Sequence, residues 1–452
     1  MVTTSIPQGW CVSKISDISI KCEQRKPEVQ ETFFYVDIGS INRELKVIES
    51  PQQIMGKDAP SRARKVINSG DVLVSLTRPN LNAVALVPEE LNNQIASTGF
   101  EVIKSIFVDS RYVFALARSK DFIDKISGAV QGALYPAAKS SDVQSFEFLL
   151  PPLAEQKAIA DKLDRLLAQV ETTKARLERI PDILKRFRQS VLAAAVSGKL
   201  TEEWRNGQNF LTKNGFVGDF VCIDIGHAFK SKEFSEVGIK LLRGQNIAPG
   251  SLKWLDTKYF PEEKIKEFSD LFINTGDIVL AMDRPIISSG LKLARAKIED
   301  LPCVLVQRVA RFKNFDGLTP DFLYLLLSDT GFTNYIQPNQ TGSDIPHISG
   351  KQILSYKVKT PSIEEQTEIV RRVEQLFTYA DTIEQKAQAA LERVNNLTQS
   401  ILAKAFRGEL TAQWREENPD LITGENSAEA LLAKIKAERE AMKPVKKSRA
   451  KT

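Results

Sequence analysis

The sequence is poor in the side chains that build metal centres and disulfides. It contains 4 cysteines and 2 histidines in 452 residues. No two cysteines have CxxC spacing; they are Cys11, Cys22, Cys222 and Cys303. The histidines, His227 and His347, stand far apart in the chain. This distribution argues against a zinc site, a disulfide framework and a histidine-based catalytic pair.

Catalytic motifs are also missing. Ser197-Gly198-Lys199 and Ser349-Gly350-Lys351 resemble the end of a P-loop, but neither has the earlier glycine that this motif requires. The chain lacks the Asn/Asp-Pro-Pro-Tyr/Phe tetrad of amino-methyltransferases. The sequence therefore contains neither a P-loop nor this methyltransferase motif.

Long apolar runs are absent. No segment approaches the roughly 18 consecutive apolar residues of a membrane span. Residues 1–7 lack the basic patch and the apolar run of a signal peptide. We expect a soluble, cytoplasmic protein that does not contact a membrane.

The excess positive charge is confined to the end of the chain. The formal net charge is +5. The last residues hold five cations and no acid: Lys443, Lys446, Lys447, Arg449 and Lys451. Because the remaining charges cancel, a nucleic-acid-binding surface on the body must be a local patch that acidic surface balances elsewhere. The tail itself is typical of a solvated end, and weak phosphate contact is the alternative.

A long internal repeat is the strongest pattern in the sequence. Residues 151–205 begin PPLAEQKAIADKL and end SVLAAAVSGKLTEEWR. Residues 361–415 begin PSIEEQTEIVRRV and end SILAKAFRGELTAQWR, at a constant offset without a gap. A match that keeps this register over a long segment does not arise by chance, so the chain contains an internal repeat of two copies.

Each repeat predicts one long helix. Pro151 and Pro361 precede the helical pattern, and Gly198 and Gly408 stand where a C-terminal cap favours a left-handed residue. A seven-residue apolar pattern runs between them and predicts an antiparallel coiled coil. Its members include Leu163, Val170, Leu177, Leu184, Val373, Leu376, Ile383 and Leu397. Pro181 has no counterpart in the second repeat, so it should kink or break the first helix at Ile180.

The segments before the two helices resemble each other more faintly. Residues 69–79 and 275–285 share a Gly-Asp turn, a strand-like run and an Arg-Pro pair. Short β-branched runs bounded by Gly, Asn and Pro predict a mixed α/β module in each half. We predict an α/β protein in which two such modules alternate with the two helices as a pseudo-twofold repeat. The expected domains are 1–150, 151–205, 206–360, 361–415 and a C-terminal helix with a basic tail, 416–452.

These helical repeats resemble the conserved regions of type I restriction-modification specificity subunits. The residues of these repeats are most similar to those of the type IA subgroup. The segment Ile6-Pro7-Gln8-Gly9-Trp10 is similar to the usual N-terminal segment of the family, and Gly342-Ser343-Asp344-Ile345-Pro346 is similar to the end of its recognition domains. The resemblance implies that 1–150 and 206–360 are target recognition domains, each of which reads one half of a bipartite double-stranded DNA site. It implies that the helices set the spacing of the half-sites.

The same resemblance implies partner proteins. Two modification subunits would dock on the helices and methylate adenine with S-adenosylmethionine, which makes the residues of the seven-residue pattern the candidate partner-binding residues. Two restriction subunits would use ATP and magnesium to translocate and cut DNA. The specificity subunit would be non-catalytic and would itself bind no metal or cofactor. Two other classes stay open: a two-headed scaffold that binds proteins, and a stand-alone DNA-binding protein of the repressor kind. The target sequence cannot be derived, because pairings between side chains and bases are too degenerate.

Arg78 and Arg284 are the first candidate DNA contacts, because each follows the same strand of its module. An arginine there fits a guanine edge or a phosphate, and an ordinary surface ion pair is the alternative. A second set reads bases or grips phosphates, or else forms polar turns: Lys230, Ser231, Lys232, Arg243, Gln245 and Asn246, with Asn42 and Arg43 in the first module. Gly132 and Gly342 mark loops that let backbone N–H groups approach a phosphate, or mark ordinary turns.

Overall fold

The computed structural model describes residues 6–128, 137–337 and 346–442. The chain divides into two compact units. The first unit is formed by residues 1–177 together with 389–452, and the second by residues 178–388. Each unit therefore combines one α/β module with the beginning of one long helix and the end of the other.

The first module is a mixed α/β fold, as predicted. Its strands are β1 Cys11–Lys14, β2 Ser19–Ile20, β3 Thr32–Val36, β4 Ile41–Asn42, β5 Val47–Ile48, β6 Gln52–Met55, β7 Ala63–Ile67, β8 Val72–Ser75, β9 Val84–Leu86, β10 Gln94–Ser97, β11 Phe100–Ser105 and β12 Glu147–Leu150. Its helices are α1 Ile15–Ile18, α2 Ser110–Ala117, α3 Lys120–Ser127 and α4 Ser140–Gln144. Two four-stranded sheets, in the orders β6-β3-β10-β7 and β2-β11-β8-β9, carry the module, and β1 pairs with β12 at its base.

Strand β8 explains where the core lies. All four of its residues are buried, because both faces of this central strand are covered. Phe33 and Tyr35 are also buried, so the aromatic run of β3 belongs to the core. Because buried apolar residues anchor β3 and β8, the turns that follow these two strands have fixed positions on the surface.

The first repeat forms two helices, α5 Leu153–Glu178 and α6 Ile180–Val196. The predicted interruption at Pro181 is confirmed: the α-helix stops before Arg179, and Pro181 stands in the first turn of α6. A proline is tolerated there because the first N–H groups of a helix have no intrahelical acceptor.

The second module repeats the framework of the first. Its strands are β13 Lys213–Phe216, β14 Cys222–Ile225, β15 Ile239–Leu242, β16 Ile247–Ala248, β17 Ser251–Leu252, β18 Tyr259–Phe260, β19 Ile278–Ala281, β20 Ile286–Ile287, β21 Gly290–Leu291, β22 Leu293–Arg295, β23 Cys303–Leu305, β24 Val309–Lys313 and β25 Lys357–Thr360. Its helices are α7 Glu262–Ile265, α8 Pro320–Ser328, α9 Thr330–Ile336 and α10 Gly350–Leu354. The sheet β14-β24-β19-β22 matches β2-β11-β8-β9 strand for strand, and β13 pairs with β25 as β1 pairs with β12.

The second repeat forms one continuous helix, α11 Ile363–Phe406, of 44 residues. Two shorter helices follow, α12 Ala412–Glu417 and α13 Ala428–Ala441. Gly198 and Gly408, which follow α6 and α11, have φ of 75° and 76°. The left-handed cap predicted at both helix ends is therefore confirmed.

Candidate nucleic-acid interface

The two Arg-Pro turns have the same unusual backbone. Arg78 follows β8 with φ 51°, and Arg284 follows β19 with φ 45°. Both arginines are exposed, whereas the next residues, Pro79 and Pro285, are buried. A left-handed conformation is uncommon for a residue with a side chain, and a following proline steers the backbone toward extended structure instead. Each turn thus holds an arginine outward in a conformation that the fold must impose.

The closing segment of each module lies beside this turn. The Ala138 N–H donates to the Leu76 carbonyl at 2.8 Å, and the Ile348 N–H donates to the Met282 carbonyl at 2.9 Å. The Arg284 N–H itself donates to the Pro346 carbonyl at 2.7 Å. The candidate glycines Gly132 and Gly342 lie outside the described residues, and the segments that follow them reach the two arginine turns.

In the first module a second cationic group borders the Arg78 turn. The Lys46 ammonium, in the turn between β4 and β5, donates to the Asn82 carbonyl at 2.5 Å. Burial, with the charges of Arg118 and Arg43 as further causes, lowers the pKa of Lys46 to about 8. Arg43 is exposed beside it. Cations that destabilise one another's charge favour a bound anion, and a DNA phosphate is such an anion.

Asn42 has a structural role in the same turn. Its side-chain oxygen accepts from the N–H groups of Glu44 and Leu45 at 3.0 and 2.9 Å. Its amide nitrogen donates to the Glu49 carboxylate at 2.9 Å. These bonds shape the turn that carries Arg43 and Lys46.

In the second module the Arg284 turn meets the turn that begins at Arg243. A Cβ atom placed on Gly244 would lie 3.8 Å from the Lys292 ammonium nitrogen. That ammonium also donates to the Asp283 carbonyl at 3.3 Å, next to Arg284. Burial lowers the pKa of Lys292, the Asp283 charge opposes this, and Arg284 adds to it. The structure thus brings together the Arg243 and Arg284 turns, which the sequence places far apart.

Arg243 and Gln245 both contact Asp256. Arg243 approaches the Asp256 carboxylate at 3.2 Å and its backbone carbonyl more closely, and the Gln245 amide donates to the same carboxylate at 2.8 Å. Hydrogen bonds from Lys258, then from Arg243 and Gln245, lower the pKa of Asp256 to about 2. An anionic or polar ligand of these two side chains would therefore have to compete with a charged carboxylate.

Asn246 is not available to DNA. It is 2% exposed; its side-chain oxygen accepts from the Arg243 N–H, and its amide donates to the Lys253 carbonyl. Asn246 therefore shapes a polar turn, and we leave it out of the interface. In contrast, Lys230, Ser231 and Lys232 are exposed on the 3₁₀ turn that they begin.

The equivalent turn of the first module begins with the opposite charge. The 3₁₀ turn Ile38–Ser40 follows Asp37 and leads into β4, whereas Gly244–Asn246 follows Arg243 and leads into β16. Asp37 uses its carboxylate to accept from the Ser40 N–H at 3.0 Å. The two modules therefore share a framework but present different side chains at matching positions.

The candidate partner-binding residues of the helices differ in exposure. Leu163, Val170, Leu184 and Val373 are at most 8% exposed, so they belong to the interior of the chain and not to a partner interface. Leu177, Leu376 and Ile383 are half-buried, and Leu397 is 44% exposed. Of the two apolar positions in each seven-residue repeat, one is therefore mostly buried, and the side chains at the other are half-buried or exposed.

Each unit also contains a buried carboxylate from the start of one repeat. Glu155 is 0% exposed and accepts hydrogen bonds from Trp10, Thr411 and Arg415, the closest at 2.7 Å. In the second unit Glu365 accepts from Thr201 at 2.7 Å and from Arg205 at 2.6 Å. Both carboxylates are thus held by residues that follow the helix of the other repeat, so we call these two sites the repeat latches.

Comparison with known proteins assigns the family. The family model described as the type I restriction modification DNA specificity domain matches residues 7–182 and again 212–393. The chain belongs to the type I restriction-modification specificity subunits. The EcoKI specificity subunit of Escherichia coli strain K12 is 36% identical to this specificity subunit over 100% of both chains. The EcoDI specificity subunit of Escherichia coli is 40% identical over 78% of this chain and 81% of its own.

Solved structures agree with this specificity-subunit fold. The HsdS subunit from Thermoanaerobacter tengcongensis matches with a TM-score of 0.67 and 26% identity, over 90% of this chain and 99% of that one. A structure described as showing complex assembly and conformational transition of the type I R-M system matches with a TM-score of 0.65 and 25% identity, over 90% and 99% of the two chains. Among its described residues, this specificity subunit has no helix long and apolar enough to cross a membrane.

The sequence of this specificity subunit did not reveal Lys46, Lys292 or the repeat latches as sites. Lys46 and Lys292 lie in loops whose neighbours depend on the folded sheets, so no pattern in the sequence pairs them. The latch residues did carry a signal. Glu155, Thr201 and Arg205 recur as Glu365, Thr411 and Arg415, and polar residues that recur among diverged neighbours point to a shared contact.

Proposed function

We propose that this chain is the non-catalytic DNA-reading subunit of a type I restriction-modification complex. Each module reads one half of a bipartite double-stranded site, and the sequences of the two halves differ. The observation that carries this is the pair of arginine turns, Arg78 and Arg284, which have one backbone geometry but different neighbouring side chains. A common framework fits a common duplex, and different neighbours fit different bases.

We assign different roles within the interface. Arg78 and Arg284 are the residues for a guanine edge, which takes a bidentate guanidinium in the major groove. Lys46, Arg43 and Lys292 are the residues for phosphates, because a cationic side chain can bind a phosphate whatever the neighbouring base is. Lys230, Ser231 and Lys232 extend the phosphate-binding surface in the second module, and Arg243 and Gln245 join it when DNA replaces Asp256.

The helices are proposed to form an antiparallel coiled coil that relates the modules by a pseudo-twofold axis. The repeat latches support this, since in both units the start of one repeat meets the end of the other. The spacing of the half-sites then follows from the length of the helices. Two modification subunits dock on exposed helix positions such as Leu397, and two restriction subunits join them. S-adenosylmethionine, ATP and magnesium serve those partners, and this chain binds none of them.

The test uses the assembled complex with modification subunits and two variants that control for each other. Arg284→Ala should weaken binding to the cognate duplex by about 5- to 150-fold, the range of 1–3 kcal/mol for one bidentate base contact. Arg78→Ala should do the same, but each variant should relax the methylated sequence in a different half-site. Sequencing that detects methylated adenine reports both half-sites and the spacer. Unchanged affinity and unchanged methylation in both variants would contradict the assigned roles.

The same measurements separate the two rival functions. A stand-alone DNA-binding protein binds its site tightly without modification subunits. A scaffold protein shows no DNA affinity even when they are present. A duplex that binds only in the presence of modification subunits, with methylation in both half-sites, supports the proposed function.

A further inference from the structure

Helix α13 covers one specific surface of the first unit. The Ala428 N–H donates to the Gly9 carbonyl at 3.0 Å, and Lys434 lies over the Phe107 ring at 4.6 Å. Leu431 and Ile435 are 8% and 0% exposed within the core of this unit. The amphipathic helix therefore closes the base of the first module.

The second unit contains the same surface, and no helix of the described residues covers it as α13 covers the first. Strands β1 and β12 pair Cys11 with Leu150, and β13 and β25 pair Lys213 with Thr360 in the same register. Gln156 accepts from the Asp109 N–H, and Gln366 accepts from the Thr319 N–H, so Phe107 corresponds to Gly317. Lys213, Thr360 and Gly317 thus mark the place that α13 occupies in the first unit.

An open groove of about 480 Å³ lies at this place in the second unit. Its lining includes Leu211, Lys213, Gly317, Thr360 and Ile363. Leu211 is 77% exposed and Ile363 is 45% exposed, which leaves apolar surface in contact with solvent. Thr360 is 3% exposed, and its hydroxyl has no hydrogen-bond partner among the described residues. A buried hydroxyl without a partner costs free energy, so an occupant that offers one is favoured.

The charge of Lys213 beside the groove indicates which kind of helix would fit there. In the first unit the Glu429 carboxylate of α13 is close enough to Cys11 to raise the pKa of that thiol, after burial. Lys213 stands at the position of Cys11 in the second unit, so an acidic residue in the first turn of a docked helix would meet a cation there. The last residues of this chain, 443–452, are basic and would be repelled.

We propose that this groove binds an amphipathic helix of a modification subunit, with an acidic residue near the start of that helix. This rests on the proposed function. A second copy of this chain is the less suitable occupant, because its α13 is already buried in its own first unit. The groove also continues onto α11 through Ile363, on which the modification subunit is proposed to dock. The modification subunit at the second module therefore has a contact that the modification subunit at the first module lacks, because α13 occupies the equivalent surface there. The two modification subunits should bind with unequal affinity.

Cross-linking with purified modification subunit tests the assignment without disturbing the core. A photoreactive phenylalanine analogue replaces Leu211, and the control variant carries it at Ile298, which is 74% exposed in the same module. We expect Leu211 to cross-link to one helical peptide of the modification subunit and Ile298 to give no cross-link to it. A cross-link to a second copy of this chain, or none at all in the assembled complex, overturns the proposal.

A titration followed by native mass spectrometry tests the energetics. The double variant Leu211→Asp, Lys213→Glu should weaken the binding of one of the two modification subunits by at least tenfold. Its affinity for the other modification subunit should not change. The matched control, Ile298→Asp with Lys297→Glu, should bind both as the natural chain does. Equal binding by both variants overturns the groove assignment while the proposed function stands. If the natural chain binds no modification subunit, the proposed function fails and the assignment fails with it.

Discussion

Removal of Arg415 from its repeat latch is expected to destabilise the first unit strongly. Glu155 is 0% exposed, and Arg415 donates to it at 2.8 Å through its terminal nitrogen and at 3.1 Å through Nε. In Arg415→Ala the carboxylate keeps only the Trp10 and Thr411 donors. Loss of one partner from a buried ion pair costs about 3–5 kcal/mol, because a charge stays buried without compensation. At roughly 2–4 °C per kcal/mol for a unit of this size, the melting temperature should fall by roughly 6–20 °C.

The exposed pair Arg407–Glu409 provides the matched control. Its side chains are each 47% exposed, so solvent screens this ion pair and its loss should hardly change the stability. Calorimetry of Arg415→Ala and Arg407→Ala gives the two stabilities, and hydrogen exchange at β1 and β12 locates the loss in the first module. If Arg415→Ala unfolds at the same temperature as Arg407→Ala, the buried latch does not stabilise the unit and the reasoning is refuted.

Further predictions follow from the pKa shifts of Lys46 and Cys303. Lys46 has a pKa lowered to about 8, and a bound phosphate raises it, so DNA binding takes up a proton. The affinity for DNA should be highest below pH 8 and fall above it by up to about tenfold per pH unit. The affinity of the Lys46→Arg variant should not change over this pH range. If fluorescence anisotropy shows a pH-independent affinity for both proteins, the phosphate role of Lys46 is contradicted. Burial raises the pKa of Cys303 to about 12, while Cys222 is exposed. Maleimide at pH 7.5 should therefore label Cys222 first and Cys303 only in denaturant, and early labelling of Cys303 by peptide mass spectrometry would disprove its burial.

Local signals in the sequence predicted much of the framework. The caps at Gly198 and Gly408 and the break at Pro181 depend on backbone rules that act over a few residues, and all three are confirmed. The match between the two Arg-Pro pairs also held, because a shared strand leads into each turn. In these cases the decisive interactions lie within one turn or one helix end.

Interactions between distant segments were beyond such patterns. The hydrogen bond of Lys46 with Asn82 and the proximity of Lys292 to Gly244 arise only when the sheets bring loops together. Asn246 has a side chain suited to adenine, yet burial within a turn removes it from the interface. The seven-residue pattern could not distinguish the buried Val373 from the exposed Leu397, because both are apolar at seam positions. Composition and spacing do not encode which face of a helix the rest of the chain covers.

The repeat latches have a consequence for the order in which the chain matures on the ribosome. Glu155 and Arg415 are 260 residues apart, so at the roughly 5–20 residues per second of synthesis Glu155 waits about 13–52 s for its partner. The second unit, 178–388, contains every residue of its own latch within one continuous stretch. The latch of the module that is translated second can therefore form first, and the first module lacks its latch arginine until Arg415 has been translated.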